Sequence, residues 1–345
     1  MEDKICGLIG SFLGGPDHVT GNAIDAVVSG MRTPPELPGS AGGKLSKVCV
    51  ICFSKDRVFQ LEQYLRTLHL FGGVEEVHEV NVLWTASTDE LVGMYHELES
   101  EFYWVKFVKE SCFAEQLVDI VRNTPCEYIL FGVDDAVFYN KLELKSAMAT
   151  FGHDDAVSVF HVKLSRNMTF CHPASKNMTS PSAEHFVYFE NTATFPLGQG
   201  TYDWDYPWDL CGSMYKKQTV SYVLGKLEPK QYSHPNLLEV NGTRVFPRRG
   251  RRAAFFTGGQ VMAVVTVNRV QDLYKNPVYR QASSTDDIDL NERFGREQFD
   301  LGAFQQQEFA SVHVGFHACE KLVDVSVVLP FRNVANYLGK AIRSI

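Results

Sequence analysis

From Val48 to Val133 short, continuously apolar runs alternate with longer amphipathic ones, and that alternation leaves few folds open. A strand with no polar side must be covered on both faces, which helices placed between parallel strands do and a simple hairpin does not. Val48–Phe53 reads as the first strand. Ser54-Lys55-Asp56-Arg57 then turns into a helix whose Val58, Leu61, Leu65, Leu68 and Leu70 form an apolar face. Glu79–Trp84 is a second strand, followed by a helix that Thr88 caps, with Asp89 and Glu90 in its first turn, reaching about Ser100. Tyr103–Val108, Phe113–Arg122 and Tyr128–Val133 continue as strand, helix and strand. The expected class is α/β with a parallel sheet.

The fourth strand, YILFGV, ends on Asp134 and Asp135. Open α/β sheets bind ligands beyond the carboxyl ends of their strands, which is where this pair falls. Adjacent carboxylates raise each other's pKa or recruit a cation, and all-oxygen ligands favour Mg²⁺ or Mn²⁺ over zinc. The pair therefore reads as a metal site, the alternative being that one aspartate caps a helical turn starting near Ala136.

After this half the pattern changes. Ala156–Leu164 alternates like a strand, and the chain to Gly200 is rich in Asn, Thr, Ser and Pro. Residues 202–209 then hold two Trp, two Tyr and three Asp, a composition suited to stacking on a pyranose and binding its hydroxyls, or else to packing back onto the core. Asp209 would open a new element beside the cleft, placed to act as a base. His234 precedes Pro235 in an extended position that could aim its imidazole inward, against the commoner structural role. PRRGRR at 247–252 is either a solvated loop or a diphosphate contact. Val261–Val267 is a further strand, and 268–307 reads as an amphipathic helix laid over the sheet.

A net charge of -8 argues against nucleic acid as a partner. Cys49 and Cys52 lie inside an apolar run, as core thiols rather than a redox or zinc pair. No window approaches the roughly 20 apolar residues of a membrane span. Residues 1–45, rich in Gly, Pro, Ser and Ala, read as a flexible leader without a clear secretory signal, so the expected compartment is the cytoplasm. The Golgi lumen is the alternative if an anchor belongs to a longer precursor, and the sequons at Asn167, Asn177 and Asn241 would then matter.

Four blocks, VCVICFSKDRVFQLEQYLRTL, YILFGVDDAVF, YDWDYPWDLCGSMY with SHPNLLE, and VNRVQDLYKN through LNERFGREQFDLGAF, together resemble glycosyltransferases of the GT-A type, in a poorly characterised bacterial-type subgroup. The resemblance covers about residues 46–318. It implies a nucleotide-diphospho-sugar transferase fold, a Rossmann-like mixed sheet flanked by helices. It also implies a nucleotide-sugar donor, a glycan or other hydroxyl acceptor, and Mn²⁺ or Mg²⁺ bridging the donor's phosphates. Carried onto this chain, Asp135 is the main metal ligand, Asp134 contacts the ribose or a metal-bound water, and His234 joins the metal set. Ser54 and Arg57 fall near the nucleotide, Asp209 is the general base and Asp205 the second choice. The motif is Asp-Asp where the family has Asp-x-Asp, which leaves the division of labour within the pair open. Lys163 stands where the subgroup tends to carry Arg.

DVSVVLPFRNVANYLGKAIRSI at 324–345 resembles the first strand and helix of a second, inverting glycosyltransferase domain, with 319–323 as linker. One strand and part of a helix cannot bury their own apolar faces, so this segment is expected to be a truncated domain or loosely docked. Two other functions share these features. A nucleotidyltransferase would usually carry a Gly-rich basic loop where this chain reads FSKDR, and a non-catalytic carbohydrate-binding module would keep the fold without turnover.

Overall fold

The computed structural model describes residues 47–73, 75–271, 277–279, 289–315 and 319–321. The leader 1–45 and the segment 324–345 lie outside them. The run VCVICF has no polar side chain to show to water, and β1 (Val48–Lys55) is buried at every position but its last. In α1 (Val58–Phe71) the buried stripe includes Val58, Leu61, Leu65 and Leu68. Leu70 is 65% exposed, contrary to expectation, because it follows Leu68 by two residues and so points away from that stripe. β2 (Val77–Thr85) leads to α2 (Asp89–Glu101), where Thr88 Oγ1 accepts from Leu91 N at 3.2 Å. β3 (Val105–Lys109), α3 (Phe113–Asn123) and β4 (Tyr128–Val133) complete the first half.

The second half is shorter in its elements. It runs β5 (Ala136–Phe138), α4 (Leu144–His153), β6 (Val157–His161), β7 (Phe170–Cys171), β8 (Lys176–Asn177), β9 (Val187–Phe189) and β10 (Thr192–Pro196). There follow β11 (Ser213–Lys216), α5 (Lys217–Lys226), α6 (Pro235–Val245), β12 (Arg252–Phe256) and β13 (Met262–Val265). β14 (Glu297–Phe299), α7 (Leu301–Gln305), β15 (His313–Val314) and β16 (Cys319–Lys321) close the described chain. β16 pairs with β14, so residues 319–321, expected in a linker, are part of a ladder.

The described residues build a nine-stranded sheet in the order β3-β2-β1-β4-β11-β6-β12-β10-β9. β1, β2, β3 and β4 are parallel, and β11 runs antiparallel between β4 and β6. This is the expected Rossmann-like mixed sheet flanked by helices. A small sheet, β15-β13-β5, begins immediately after the aspartate pair. Ala136 therefore enters a strand and not a helical turn, which removes the capping role considered for Asp134 and Asp135. Among the described residues no helix is long and apolar enough to cross a membrane. Asn167 and Asn177 are exposed, whereas Asn241 donates its Nδ2 to Gln231 O at 2.7 Å and is engaged within the fold.

Two expectations fail on packing. No continuous helix spans the described part of 268–307, which holds a 3₁₀ turn, β14 and α7. Phe294, Phe299, Phe304 and Phe309 recur every five residues, off the helical period, and Gly295 adopts φ +66. Nor do the tryptophans of residues 202–209 form a sugar-facing surface. Trp204 and Trp208 are 1% and 0% exposed, and each indole N–H is satisfied, donating to Met168 O and to Leu238 O at 3.1 Å. Trp208 packs against Phe131, Tyr215 and Phe246, at the centre of the main core. Trp208→Ala should cost about 3–5 kcal/mol in denaturant unfolding, the range for emptying a buried aromatic site. A loss below about 1 kcal/mol would restore the surface role.

Candidate functional site

The parallel pairing of β1 with β4 carries the aspartates to the sheet's C-terminal edge and holds them there. Asp134 N donates to Phe53 O at 3.1 Å, and Val265 N donates to Asp135 O at 2.7 Å, so the peptide is tied to both sheets. Gly132 is needed just before, because a Cβ there would collide with the Tyr64 hydroxyl. Asp134 Oδ2 accepts from Ser54 Oγ (2.9 Å) and Lys55 N (3.1 Å). With its proton committed, Ser54 Oγ accepts in turn from Tyr95 Oη at 2.6 Å. Arg57 Nη1 bridges the pair, donating to Asp134 Oδ1 at 3.0 Å and Asp135 Oδ2 at 2.8 Å, while Nη2 donates to Asn268 O at 2.7 Å.

Ser54, Arg57, Asp134 and Asp135, named separately from sequence, thus form one cluster. Burial pushes the Asp134 carboxyl up to about 6, against the pull of Arg57 and with a push from Asp135. Burial also works against the Arg57 guanidinium, but Asp135 and Asp134 outweigh it and raise its pKa. A cavity of about 270 Å³ borders the cluster, lined in part by Asp56, Ser87, Leu91, Asn268 and Asn291 at the ends of β1 and β2.

A second buried cluster lies where β6 ends and β11 begins, on the same edge. Lys163 Nζ donates to Asp203 Oδ1 at 3.3 Å and pairs with Asp209 Oδ2; all three residues are buried. Burial opposes the Lys163 charge, and Asp209 and Asp203 overcome it, holding its pKa well above the usual lysine value. Asp209 Oδ1 accepts from Cys211 N at 2.8 Å, and burial raises its carboxyl despite Lys163. Beside it Tyr206 Oη donates to Glu239 Oε1 at 2.8 Å, and burial followed by the Asp209 charge lifts Glu239 to about 7. His161, bonded through Nδ1 to Ser213 Oγ at 2.9 Å, is brought down to about 3 by burial and Lys163, and so is neutral. A second hollow, about 280 Å³, opens next to β15 and is lined by Phe170, Tyr279, Phe309 and His313 among others.

Other expected site residues fall elsewhere. Asp205 accepts from Gly198 N at 2.8 Å, two residues beyond the end of β10, and pairs with Arg248. β10 runs antiparallel to β12, which is parallel to β6, so this places Asp205 toward the edge where β12 begins and not where β4 ends. The 247–252 loop occupies the same side, and three of its four arginines serve this chain's own groups: Arg248 on Asp205, Arg251 on Asp155 O, Arg252 on Thr194 and Asp154. It is not assembled with the aspartate pair. His234 precedes α6 with extended backbone and makes no side-chain cap. Among the described residues no three His, Cys, Asp or Glu groups converge to hold a metal, so His234 does not complete a site with Asp134 and Asp135.

A divalent ion would therefore find one suitable group, Asp135, whose Oδ1 accepts no hydrogen bond among the described residues. That fits an ion of the Mg²⁺ kind, which uses one or two carboxylates and takes its remaining oxygens from phosphate and water. The buried Lys163 and Asp203 and the half-buried Glu239 were not singled out as a site from sequence. A lysine and a histidine inside the apolar run AVSVFHVKL were the available signal.

No family model matches the chain. It is 32% identical over 301 residues to the bifunctional glycosyltransferase pgtA of Dictyostelium discoideum, over 79% of this chain and 39% of that protein. The chain is thus related in sequence to a glycosyltransferase while spanning well under half of its relative's length. The relative is amoebal, and the narrower bacterial-type subgroup gains no footing from it. Among solved structures, S. aureus TarS 1-349 in complex with UDP gives a TM-score of 0.41 at 14% identity, over 63% of this chain and 59% of that one. The mannosyltransferase PcManGT from Pyrobaculum calidifontis, in complex with GDP-Man and Mn²⁺, gives 0.36 at 13% identity, over 69% and 62%. Overlaps of that size say nothing about what this chain binds.

Two measurements probe the second cluster. Lys163→Met leaves Asp203 and Asp209 buried without their cation and should cost about 3–5 kcal/mol, most of it recovered when both become Asn. Glu239 keeps its proton to about pH 7 when folded, against an ordinary value of 4.5. The folded protein then binds more protons over that interval, so stability falls as pH rises through it. Glu239→Gln removes this slope: in unfolding at pH 5, 6, 7 and 8 the variant should gain on the wild type up to about pH 7 and then level off, and a constant difference would refute the assignment.

Proposed function

We propose that the chain transfers a sugar from a nucleoside diphosphate donor to a hydroxyl acceptor. The observation that carries this reading is the Ser54–Arg57–Asp134–Asp135 cluster, at the C-terminal edge of parallel strands and next to an open cavity of about 270 Å³ lined by Asp56 and Asn268 among others. The relationship to a glycosyltransferase supports the same class. Asp135 would hold Mn²⁺ or Mg²⁺, which would neutralise the charge growing on the leaving diphosphate. Asp134, saturated by Ser54, Lys55 and Arg57, keeps the loop in place and faces the ribose side.

The acceptor proton needs a base on the same edge. Asp209, the sequence candidate, is 2% exposed and gripped by Lys163, so it is better suited to fixing the loop. Glu239 is only half-buried and hydrogen-bonded by Tyr206, and at about 7 it is poised for proton transfer near neutral pH. The nucleotidyltransferase alternative has less support, because the segment after β1 is committed to holding carboxylates and carries no Gly-rich loop.

Hydrolysis of UDP- and GDP-sugars in the presence of Mn²⁺ tests the proposal. Asp135→Asn should lower turnover by about 10²-fold or more, the scale of losing one electrostatic stabiliser of a transition state, with the protein still folded. Near-normal turnover in that variant would remove the metal role. No turnover by the wild type, with a melting midpoint unmoved by UDP or GDP with Mn²⁺, would leave the non-catalytic reading.

A further inference from the structure

The cation that the aspartate pair demands is already present, as a side chain of this chain. Arg57 is 11% exposed, and one of its amino groups lies within 3.0 Å of both carboxylates. Its backbone is set by Asp56, a non-glycine residue at φ +57 whose carboxylate accepts from Ser87 N and Ser87 Oγ, each at 2.6 Å. Asn291 Nδ2 adds a bond to Asp56 O at 2.8 Å. With Asp56 N donating to Thr85 O at 3.2 Å as well, this left-handed residue is held by four hydrogen bonds, which fixes the direction in which Arg57 leaves β1. The guanidinium still has unused capacity, because its Nε is buried without a partner among the described residues. A buried donor left unpaired points to an acceptor that arrives with a ligand.

From this we infer that Arg57 competes with a divalent cation for Asp135 and releases it when a nucleoside diphosphate binds, so that metal and nucleotide load cooperatively through this residue. An ion on Asp135 Oδ1 would stand within a few ångströms of the guanidinium, and two cations sharing one carboxylate repel. A diphosphate removes the conflict. It supplies anionic oxygens to the metal and a planar, bidentate partner to arginine, including the idle Nε. By linkage, whatever tightens metal binding in the presence of nucleotide tightens nucleotide binding in the presence of metal by the same factor. The inference rests on the donor-site reading above, yet the competition for Asp135 can be tested without any nucleotide.

Mn²⁺ binding to the full chain is followed by the loss of free-ion EPR signal, with Mn²⁺ alone and with UDP or GDP as probes. The wild type should bind Mn²⁺ alone weakly and at least about tenfold more tightly with nucleotide, within the usual range of coupling factors. Arg57→Gln should bind Mn²⁺ alone about tenfold more tightly than the wild type and lose most of the coupling, with Arg57→Lys in between. Asp135→Asn should abolish binding in every background. Should Arg57→Gln prove too unstable, the Mn²⁺-induced rise of its melting midpoint replaces the titration, and a variant folded only with Mn²⁺ supports the competition. Mn²⁺ affinity in Arg57→Gln equal to or below that of the wild type overturns the inference. Tighter Mn²⁺ binding in Arg57→Gln with no response of any form to UDP or GDP sustains the competition and removes the donor reading instead.

Discussion

Taking two neighbouring carboxylates out of water is unfavourable unless positive charge comes with them, and this molecule meets that demand twice with the same economy. Arg57 serves Asp134 and Asp135; Lys163 serves Asp203 and Asp209. In each cluster one cation faces two acids, so each keeps an excess of one negative charge when its acids are ionised. Both clusters sit on the same edge of the sheet. Such an edge would repel a bare diphosphate and accept one accompanied by a divalent ion, which is a physical reason behind the metal role proposed above, independent of any likeness to other proteins.

The backbone makes such a concentration of charge tolerable by fixing it. Asp134 extends the β1–β4 ladder by one hydrogen bond, and Asp135 passes its carbonyl to β13, so two consecutive residues belong to two different sheets. Carboxylates on a mobile loop would swing into solvent and lose their cation. Here Tyr64 packs beneath Gly132, and Phe59 and Val137 join the second apolar cluster under the small sheet, so the turn has nowhere to relax. The rigidity also gives the two side chains different partners: Asp134 is held by Ser54, Lys55 and Arg57, and Asp135 by Arg57 alone among the described side chains.

What was legible in the sequence was local. The alternation from Val48 to Val133 gave every element of the first half, because strand and helix periods are properties of a few residues at a time. Ser54 and Arg57 were placed near the nucleotide by resemblance alone; that they meet Asp134 follows from the pairing of β1 with β4, which the sequence does not dictate. The partners of Asp209 and Asp205 were not legible, since Lys163 and Arg248 come from elements that only the crossing order of β6, β11 and β12 brings near. The burial of Trp204 and Trp208 was likewise invisible: the same aromatic–aspartate alternation serves a sugar platform or a core plug, and the choice depends on whether Phe195, Phe255 and Phe246 stand opposite. In 268–307 polar residues between spaced phenylalanines imitated an amphipathic helix, although a five-residue recurrence fits no helix face.

The buried tryptophans change what the loop of residues 202–209 can be. With Trp204 and Trp208 anchored at either end of the segment that carries Asp203 and Asp209, the loop is a strut that delivers two acids to Lys163. A strut of this kind cannot adapt to a ligand, so in the proposed reading the acceptor would be recognised by groups beside it. The aromatic rings that do face a hollow are Phe170, Tyr279 and Phe309, with Tyr279 stacked on His172 at 3.9 Å, and they lie next to β15. β15 is joined through β13 to β5, the strand that begins directly after Asp135. An acceptor held against those rings would therefore approach the aspartates from the small sheet, and the donor from the ends of β1 and β2. The acidic edge between them is where the two reactants would meet.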